Sequence, residues 1–176
     1  GLAISVAADA VDFNLSVTAR ATESGNGATA FATGSITVTI GGTDGVSISG
    51  GGGNDMLVGA IGDDMLMGGL GIDILTGGSG SDVFAWLPSH LDGSVDQITD
   101  FTAGLAGDAL DLSQILEGYV AGVSDLSDFV SLSESGGDTT VRVDADGTSA
   151  FSDLVVLQGV TGLDIDTLRT NGNLLT

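Results

Sequence analysis

The chain has no cysteine, no lysine, one proline and one histidine. Each scarcity excludes something. Without cysteine there is no disulfide framework, so a chain working outside the cell needs another staple, and metal is the obvious candidate. With His90 as the only histidine, a two-histidine zinc protease motif is excluded. A Ser-His-Asp triad is formally composable, but no G-x-S-x-G segment marks a nucleophilic serine. His90 therefore reads as a surface or capping residue. The only cations are Arg20, Arg142 and Arg169, set against 24 acidic residues for a net charge of −21. Nucleic acid and anionic membrane surfaces are poor partners for such a chain. No apolar run approaches the ~18 residues of a membrane-spanning helix. The N-terminal GLAISVAADAV lacks the basic region and cleavage site of a signal peptide. It also lacks an initiator methionine, so the chain is expected to be a piece of something larger.

What is present in excess is aspartate and glycine. Of the 24 acids, 21 are aspartate, a bias toward turns and compact oxygen sites rather than helix surfaces. Half of the 30 glycines lie between residues 41 and 80. Twelve of these fifteen fall in four tandem nonapeptides: GGGGNDMLV (50–58), GAIGDDMLM (59–67), GGLGIDILT (68–76) and GGSGSDVFA (77–85). The shared pattern is G-G-x-G-x-D-x-U-x, with U a large apolar residue. Asp55, Asp64, Asp73 and Asp82 hold one phase, and Leu57, Leu66, Leu75 and Phe84 another. Ala60 is the one departure, at a second-glycine position. A flexible linker needs no phase, so a linker does not account for this register.

Each unit predicts a six-residue turn followed by a three-residue strand. Nine residues make half a coil, so units 18 apart stack on the same side. Asp55 should then face Asp73 across one metal ion, and Asp64 should face Asp82 across another. Calcium, a hard cation, takes about six to eight oxygens. Glycine turns offer carbonyls at no steric cost, and the aspartate adds a charged carboxylate. The candidate carbonyl donors are Gly50, Gly52 and Gly53, then Gly59, Ile61 and Gly62, then Gly68, Gly69 and Gly71, and finally Gly77, Gly78 and Gly80. The U residues should form a thin apolar ladder inside the roll, plugged at one end by Phe84 and Trp86. Such a segment should not hold together without metal. Ordering it costs about 1–2 kcal/mol per residue in backbone entropy, and metal binding must supply much of the folding free energy.

Three regions differ in composition. Residues 1–40 alternate apolar and polar positions (Phe13 to Ala21, and GSITVTI at 34–40) around a turn at Ser24–Gly27, the period of half-buried strands. They read as antiparallel strands, either the end of an Ig-like sandwich or a strand extension. Residues 41–94 form the roll. Within it GGTDGVSIS (41–49) is a decayed unit, with Ile48 at the U position but Val46 where aspartate belongs. Residues 95–176 read as a mostly β region. Helices are expected at 111–120 and at 164–172 (closed by Gly172), with a helical turn near 124–130. Strands are expected at 129–133, 139–143 and 153–160. In VDQITDF, Asp96 and Asp100 are spaced to bind a further calcium or to cap turns, while Asp108 and Asp111 read as turn and helix-cap residues. Asp144-Ala145-Asp146-Gly147 resembles an EF-hand start, but Val155 stands where the glutamate is needed, so a hairpin turn is expected. Met56, Met65, Ile74 and Val83 should point out of the roll and need cover from the flanking regions.

The nonapeptides resemble the calcium-binding repeats of RTX proteins, whose fold is a parallel β-roll. Residues 95–176 are similar to the C-terminal target regions of type I secreted proteins, through DVFAW, QITDF, GDTTVRVDADG, DLVVLQGV and the leucine-rich end. VTGLDIDTLRTNGNLL resembles the ends of giant bacterial RTX adhesins, which carry arrays of Ig-like repeats before the roll. The resemblance implies several bound calcium ions and export by an ABC transporter with an outer-membrane channel reading an uncleaved C-terminal signal. It further implies folding on extracellular calcium, and a non-enzymatic role in adhesion and biofilm at the bacterial surface. The alternative is the tail of a secreted hydrolase, a protease or lipase with its catalytic domain upstream.

Overall fold

The computed structural model describes residues 45–148 and 150–176, together with the backbone of four short strands before them: β1 (Asn14–Leu15), β2 (Ala21–Thr22), β3 (Thr29–Ala30) and β4 (Thr37–Thr39). The Ig-like reading of residues 1–40 falls largely outside the described residues. There β2 pairs antiparallel with β3. Strands β1 and β4 instead run parallel to strands of the roll.

The repeats fold as their period requires. Each x-U-x stretch opens a strand: β5 (Ser47–Gly52), β6 (Met56–Ile61), β7 (Met65–Leu70), β8 (Ile74–Ser79) and β9 (Val83–Ala85). Alternate strands join opposite sheets. In one sheet β5, β7 and β9 are parallel neighbours, with Ile48 opposite Leu66 and Leu66 opposite Phe84. In the other, β6 and β8 are parallel, with Leu57 opposite Leu75. The strand of the decayed unit thus joins the roll, with Ile48 keeping the apolar phase.

The roll does not stop at the fourth repeat. β10 (Asp96–Ile98) pairs parallel with β8, and β11 (Ala109–Asp111) pairs parallel with β9. The composition boundary at residue 94 is thus no break in hydrogen bonding. Two apolar ladders face each other across the roll. One runs Ile48, Leu66, Phe84, Leu110 and Leu174, and the other Leu57, Leu75, Ile98 and Leu157; all nine side chains are buried. Full burial of one such side chain is worth about 1.5–3 kcal/mol.

Residues 130–157 close one sheet. β12 (Val130–Ser135), β13 (Asp138–Val143) and β14 (Ser152–Leu157) are antiparallel neighbours, and β14 returns parallel to β10. Helix α1 (Ile165–Asn171) starts at the Asp164 cap and ends at Gly172, whose φ is 83°. β15 (Leu174–Leu175) then becomes the last strand of the other sheet, parallel to β11. The helix expected at 111–120 is absent. Leu112 instead donates its N–H to the Leu175 carbonyl, and Ile115 and Leu116 are buried within turns. Pairing with β15 takes the backbone groups that a helix would need. The helical turn near 124–130 does form, as a 3₁₀ turn over Leu126–Asp128 capped by Asp125.

Cover over the outward rows is uneven. Met56 and Met65 remain 41% and 39% exposed, whereas Ile74 and Val83 are half-buried and Ala109 is buried. The expectation of a covered face thus fails at Met56 and Met65. The C-terminal region extends the sheets lengthwise instead of lying across them.

Ala60 occupies the second-glycine position with a φ of 91°. A side chain in that region is strained by about 1–2 kcal/mol. We expect Ala60→Gly to stabilise the calcium-loaded roll by about 1 kcal/mol, read as a higher denaturant midpoint at unchanged slope. A lower midpoint would contradict the strain.

Candidate metal centre

The aspartates of the repeats stand in two columns, one for each row of turns. Within a column, the carboxylate of one unit accepts the backbone N–H of the aspartate 18 residues earlier. Asp73 Oδ1 takes the Asp55 N–H at 2.8 Å, and Asp82 Oδ1 takes the Asp64 N–H at 2.9 Å. Asp64 Oδ1 takes the Val46 N–H at 2.8 Å. Val46 can donate in this column but brings no carboxylate of its own. The facing expected from the nonapeptide register is thus direct: carboxylate to backbone, one coil apart.

The other oxygen of each carboxylate is unusual. All four side chains are buried, and Oδ2 of Asp64, Asp73 and Asp82 has no hydrogen-bond partner. A buried carboxylate oxygen without a donor is costly unless a cation or a proton meets it. Each such oxygen lies against the first glycine of its own unit. A Cβ at Gly59, Gly68 or Gly77 would overlap Asp64, Asp73 or Asp82 Oδ2 respectively. The space at Gly50 is bounded by the Asp55 carboxylate and the Gly68 carbonyl, and that at Gly59 by the Asp64 carboxylate and the Gly77 carbonyl. These are hard oxygen donors, a mixture of carboxylate and carbonyl, which suits calcium. Among the described residues no group of three or more His, Cys, Asp or Glu side chains gathers as a metal site. Carbonyls must therefore supply much of the coordination.

The remaining candidate positions differ in availability. The third-position carbonyls of Leu70 and Ser79 are taken by the Gly53 and Gly62 N–H groups. Gly52 and Ile61 sit at that same third position, one coil earlier on each side. The carbonyls of Gly51 and Gly53 press on Gly69 and Gly71, and those of Ala60 and Gly62 on Gly78 and Gly80. The turns are thus stacked too closely for side chains at these glycines.

Burial shifts the carboxyls strongly. Desolvation pushes Asp73 up to about 7, aided by the charges of Asp96, Asp55 and Asp92. Asp82 is pushed up to about 6, again mainly by desolvation, with Asp108, Asp64 and Asp100 adding. Asp64 is raised for the same leading reason.

Asp96 and Asp108 continue the two columns beyond the repeats. Asp96 Oδ1 accepts the Asp73 N–H at 3.0 Å, over 23 residues, and Asp108 Oδ1 accepts the Asp82 N–H at 3.0 Å, over 26 residues. Their second oxygens differ from those of the repeats. Asp96 Oδ2 accepts the buried Trp86 indole N–H at 2.9 Å, and Asp108 Oδ2 accepts the Thr102 N–H at 2.7 Å. Asp100 takes the Gly77 and Gly78 N–H groups, one on each oxygen. Asp96 and Asp100 thus have the geometry of the capping alternative. Asp108 has a part its sequence reading as a turn residue did not give it. The signal was there: DQIT and DALD repeat D-x-U-x at a longer spacing. A second, outer ladder had no sequence signal. Asn54 Oδ1 and Asp63 Oδ1 accept the Ile72 and Ser81 N–H groups, and Asp92 Oδ2 accepts that of Gly71. His90 Nδ1 accepts the Leu87 N–H at 3.3 Å, a capping role. Asp146 closes a turn on Thr148, and Asp144 accepts the Ala150 N–H.

Parallel strands on two faces, glycine-aspartate turns in 18-residue register and buried carboxylates turned toward carbonyls together define an RTX-type β-roll. No family model and no curated protein matches the chain. Solved structures do, among them two parts of one enzyme. One is the R3 subunit of AlgE6, a mannuronan C5-epimerase of Azotobacter vinelandii, at 30% identity and TM-score 0.55, covering 80% of this chain and 77% of that one. The other is the R2 subunit of the same enzyme, at 30% identity and TM-score 0.51, covering 81% and 86%. The chain belongs to the RTX-type calcium-binding β-roll domains.

Two outcomes follow for the site. Gly68 has no positive φ, so alanine there acts by displacing the Asp73 carboxylate. Gly68→Ala should weaken calcium binding by about 10–100-fold in a calorimetric titration, and unchanged affinity would remove Asp73 from the site. The pH dependence has a definite sign. The folded pKa values of Asp73 and Asp82 lie above the ordinary 3.8, so the metal-free roll binds these protons more tightly than the unfolded chain. In chelator its stability should be greatest near pH 4 and be lost as pH rises through about 6 to 7. Circular dichroism against pH checks this, and structure that declines on acidification from pH 7 to 5 would contradict it.

Proposed function

We propose that this chain is the non-enzymatic, calcium-binding C-terminal segment of a secreted bacterial RTX adhesin. In this reading it folds on extracellular calcium and carries the signal for a type I secretion apparatus. The observation that carries the calcium part is the set of buried Asp64, Asp73 and Asp82 carboxylates whose Oδ2 atoms lack any donor. The residues that would hold calcium are these aspartates with Asp55 and the first-glycine carbonyls, notably Gly68 and Gly77. Bound calcium would supply the positive charge that lets these oxygens stay buried and ionised. In a calcium-poor cytoplasm the chain stays extended and fits a narrow channel. Outside, folding prevents back-sliding.

The export and adhesin parts rest on the resemblance of residues 95–176 to type I target regions and adhesin ends. A second reading has a specific observation in its favour. The two structural neighbours named above are parts of an enzyme, the mannuronan C5-epimerase. The roll would then be a non-catalytic module attached to a secreted enzyme. Upstream sequence separates the two, since Ig-like repeats favour the adhesin and a catalytic domain the enzyme.

A far-UV circular dichroism titration tests the switch. A cooperative gain of β signal is expected at roughly 10⁻⁴–10⁻³ M calcium, with no comparable gain in magnesium. A chain fully folded in chelator at neutral pH would end the folding-switch reading. For export, removing residues 126–176 should abolish secretion through a type I apparatus, and full secretion of the truncated chain would refute the signal role.

A further inference from the structure

The last column of the roll is not completed by a repeat. It is completed by a loop, and the loop is held by a residue near the end of the sequence. Asn173 is 1% exposed and sits between helix α1 and strand β15. Its side chain makes three hydrogen bonds to one loop. Oδ1 accepts the Gly104 N–H at 2.8 Å, while Nδ2 donates to the Gly104 carbonyl at 3.0 Å and to the Asp108 carbonyl at 2.6 Å. Its backbone is equally engaged: the carbonyl accepts the Leu110 N–H, and the N–H donates to the Leu168 carbonyl. Every polar group of the residue has a partner.

The loop so gripped is the one that presents Asp108. Within it Asp108 folds back on Thr102, accepting its N–H on Oδ2 and donating its own N–H to the Thr102 carbonyl. Oδ1 is left to accept the Asp82 N–H. Asp82 in turn carries one of the unpartnered buried oxygens of the proposed calcium site. A continuous chain of contacts thus runs from Asn173 through Gly104 and Asp108 to Asp82. The other column ends differently, on Asp96 and the Trp86 indole, and does not involve Asn173.

We propose that Asn173 is a positioning residue for calcium binding, fixing the 104–108 loop so that Asp108 holds the Asp82 end of one column of sites. The proposal rests on the calcium reading above. It makes the C-terminal segment part of the metal-binding roll, acting on one column and not on the other.

The test compares wild type with Asn173→Ala and with the nearly isosteric Asn173→Asp, which keeps an acceptor for Gly104 but loses both donors. Calcium binding is followed by calorimetry. Amide hydrogen exchange is read by NMR at saturating calcium for Asp82 and Asp73. We expect the ion on the Asp82 side to bind about 10–100-fold more weakly. We also expect the Asp82 amide to exchange at least about tenfold faster while the Asp73 amide is unchanged. A general destabilisation would speed both amides alike, and that result, or no change at either, overturns the proposal. Where the alanine variant fails to fold, Asn173→Ser gives the same comparison in a smaller perturbation. Absence of calcium binding by the wild type would overturn the metal reading itself, whereas normal wild-type binding with unaltered variants would overturn only the role of Asn173.

Discussion

The structure depends on one arrangement: a buried aspartate that spends one oxygen on the preceding coil and has no donor for the other. The first oxygen fixes the stacking, since it accepts a backbone N–H from the coil before it and thereby sets the 18-residue register. The second oxygen sets the need for a cation. Desolvation raises the carboxyls of Asp64, Asp73 and Asp82, and each neighbouring coil adds another negative group nearby. On the proposed reading, a roll built this way needs that charge neutralised, by protons at low pH or by calcium at neutral pH. Glycine at the first position is a consequence of the same arrangement, because the carboxylate occupies the space a side chain would need.

Register then decides everything along the roll. Once the columns of Asp55, Asp73 and Asp96, and of Asp64, Asp82 and Asp108, are in line, the apolar residue two places after each aspartate must point inward. The paired ladders through Leu57, Leu75 and Ile98 and through Leu66, Phe84 and Leu110 follow without further instruction. The core is only two side chains thick. It gains depth where β12, β13 and β14 add Val130, Val141 and Val155, all buried. Stability is therefore uneven along the chain, with apolar burial concentrated in the C-terminal half and electrostatic dependence in the repeats.

Much of this was legible in the sequence because the repeat states both phases. Asp and U keep a nine-residue spacing, and the coil, the facing pairs and the inward ladder follow from it. Ile48 was readable even in a unit that had lost its aspartate, since the apolar phase survives there. The continuation was harder to see. Asp96 and Asp108 keep the D-x-U-x local pattern, but the turns before them are lengthened, so a search at fixed period passes over them. The helix expected at 111–120 shows the limit of local propensity: its periodicity was real, but Leu110 and Leu112 are claimed by a strand more than sixty residues away. Asn173 carried no signal, because a hydrogen bond across 65 to 69 residues leaves no spacing to read, and the outer ladder uses a variable position of the repeat, where Asn54 and Asp63 are followed by Ile72 and Ser81.

Both sheets end on segments from the C-terminal third of the chain, and this bears on how the roll begins to order. A parallel coil cannot close on itself locally; each strand needs a neighbour one full turn away. The repeats alone offer only mutual neighbours, equally glycine-rich and equally charged. The β12–β14 meander is built of antiparallel neighbours adjacent in sequence, and it presents β14 as a parallel edge for β10. From that edge β8 and then β6 are the successive neighbours in the folded sheet, with Asp73 on Asp96 and Asp55 on Asp73. The second sheet needs β15 to the same end, and Asn173 ties that strand to the loop carrying Asp108. The C-terminal third thus offers the repeats a template with fixed register, on which calcium can act coil by coil.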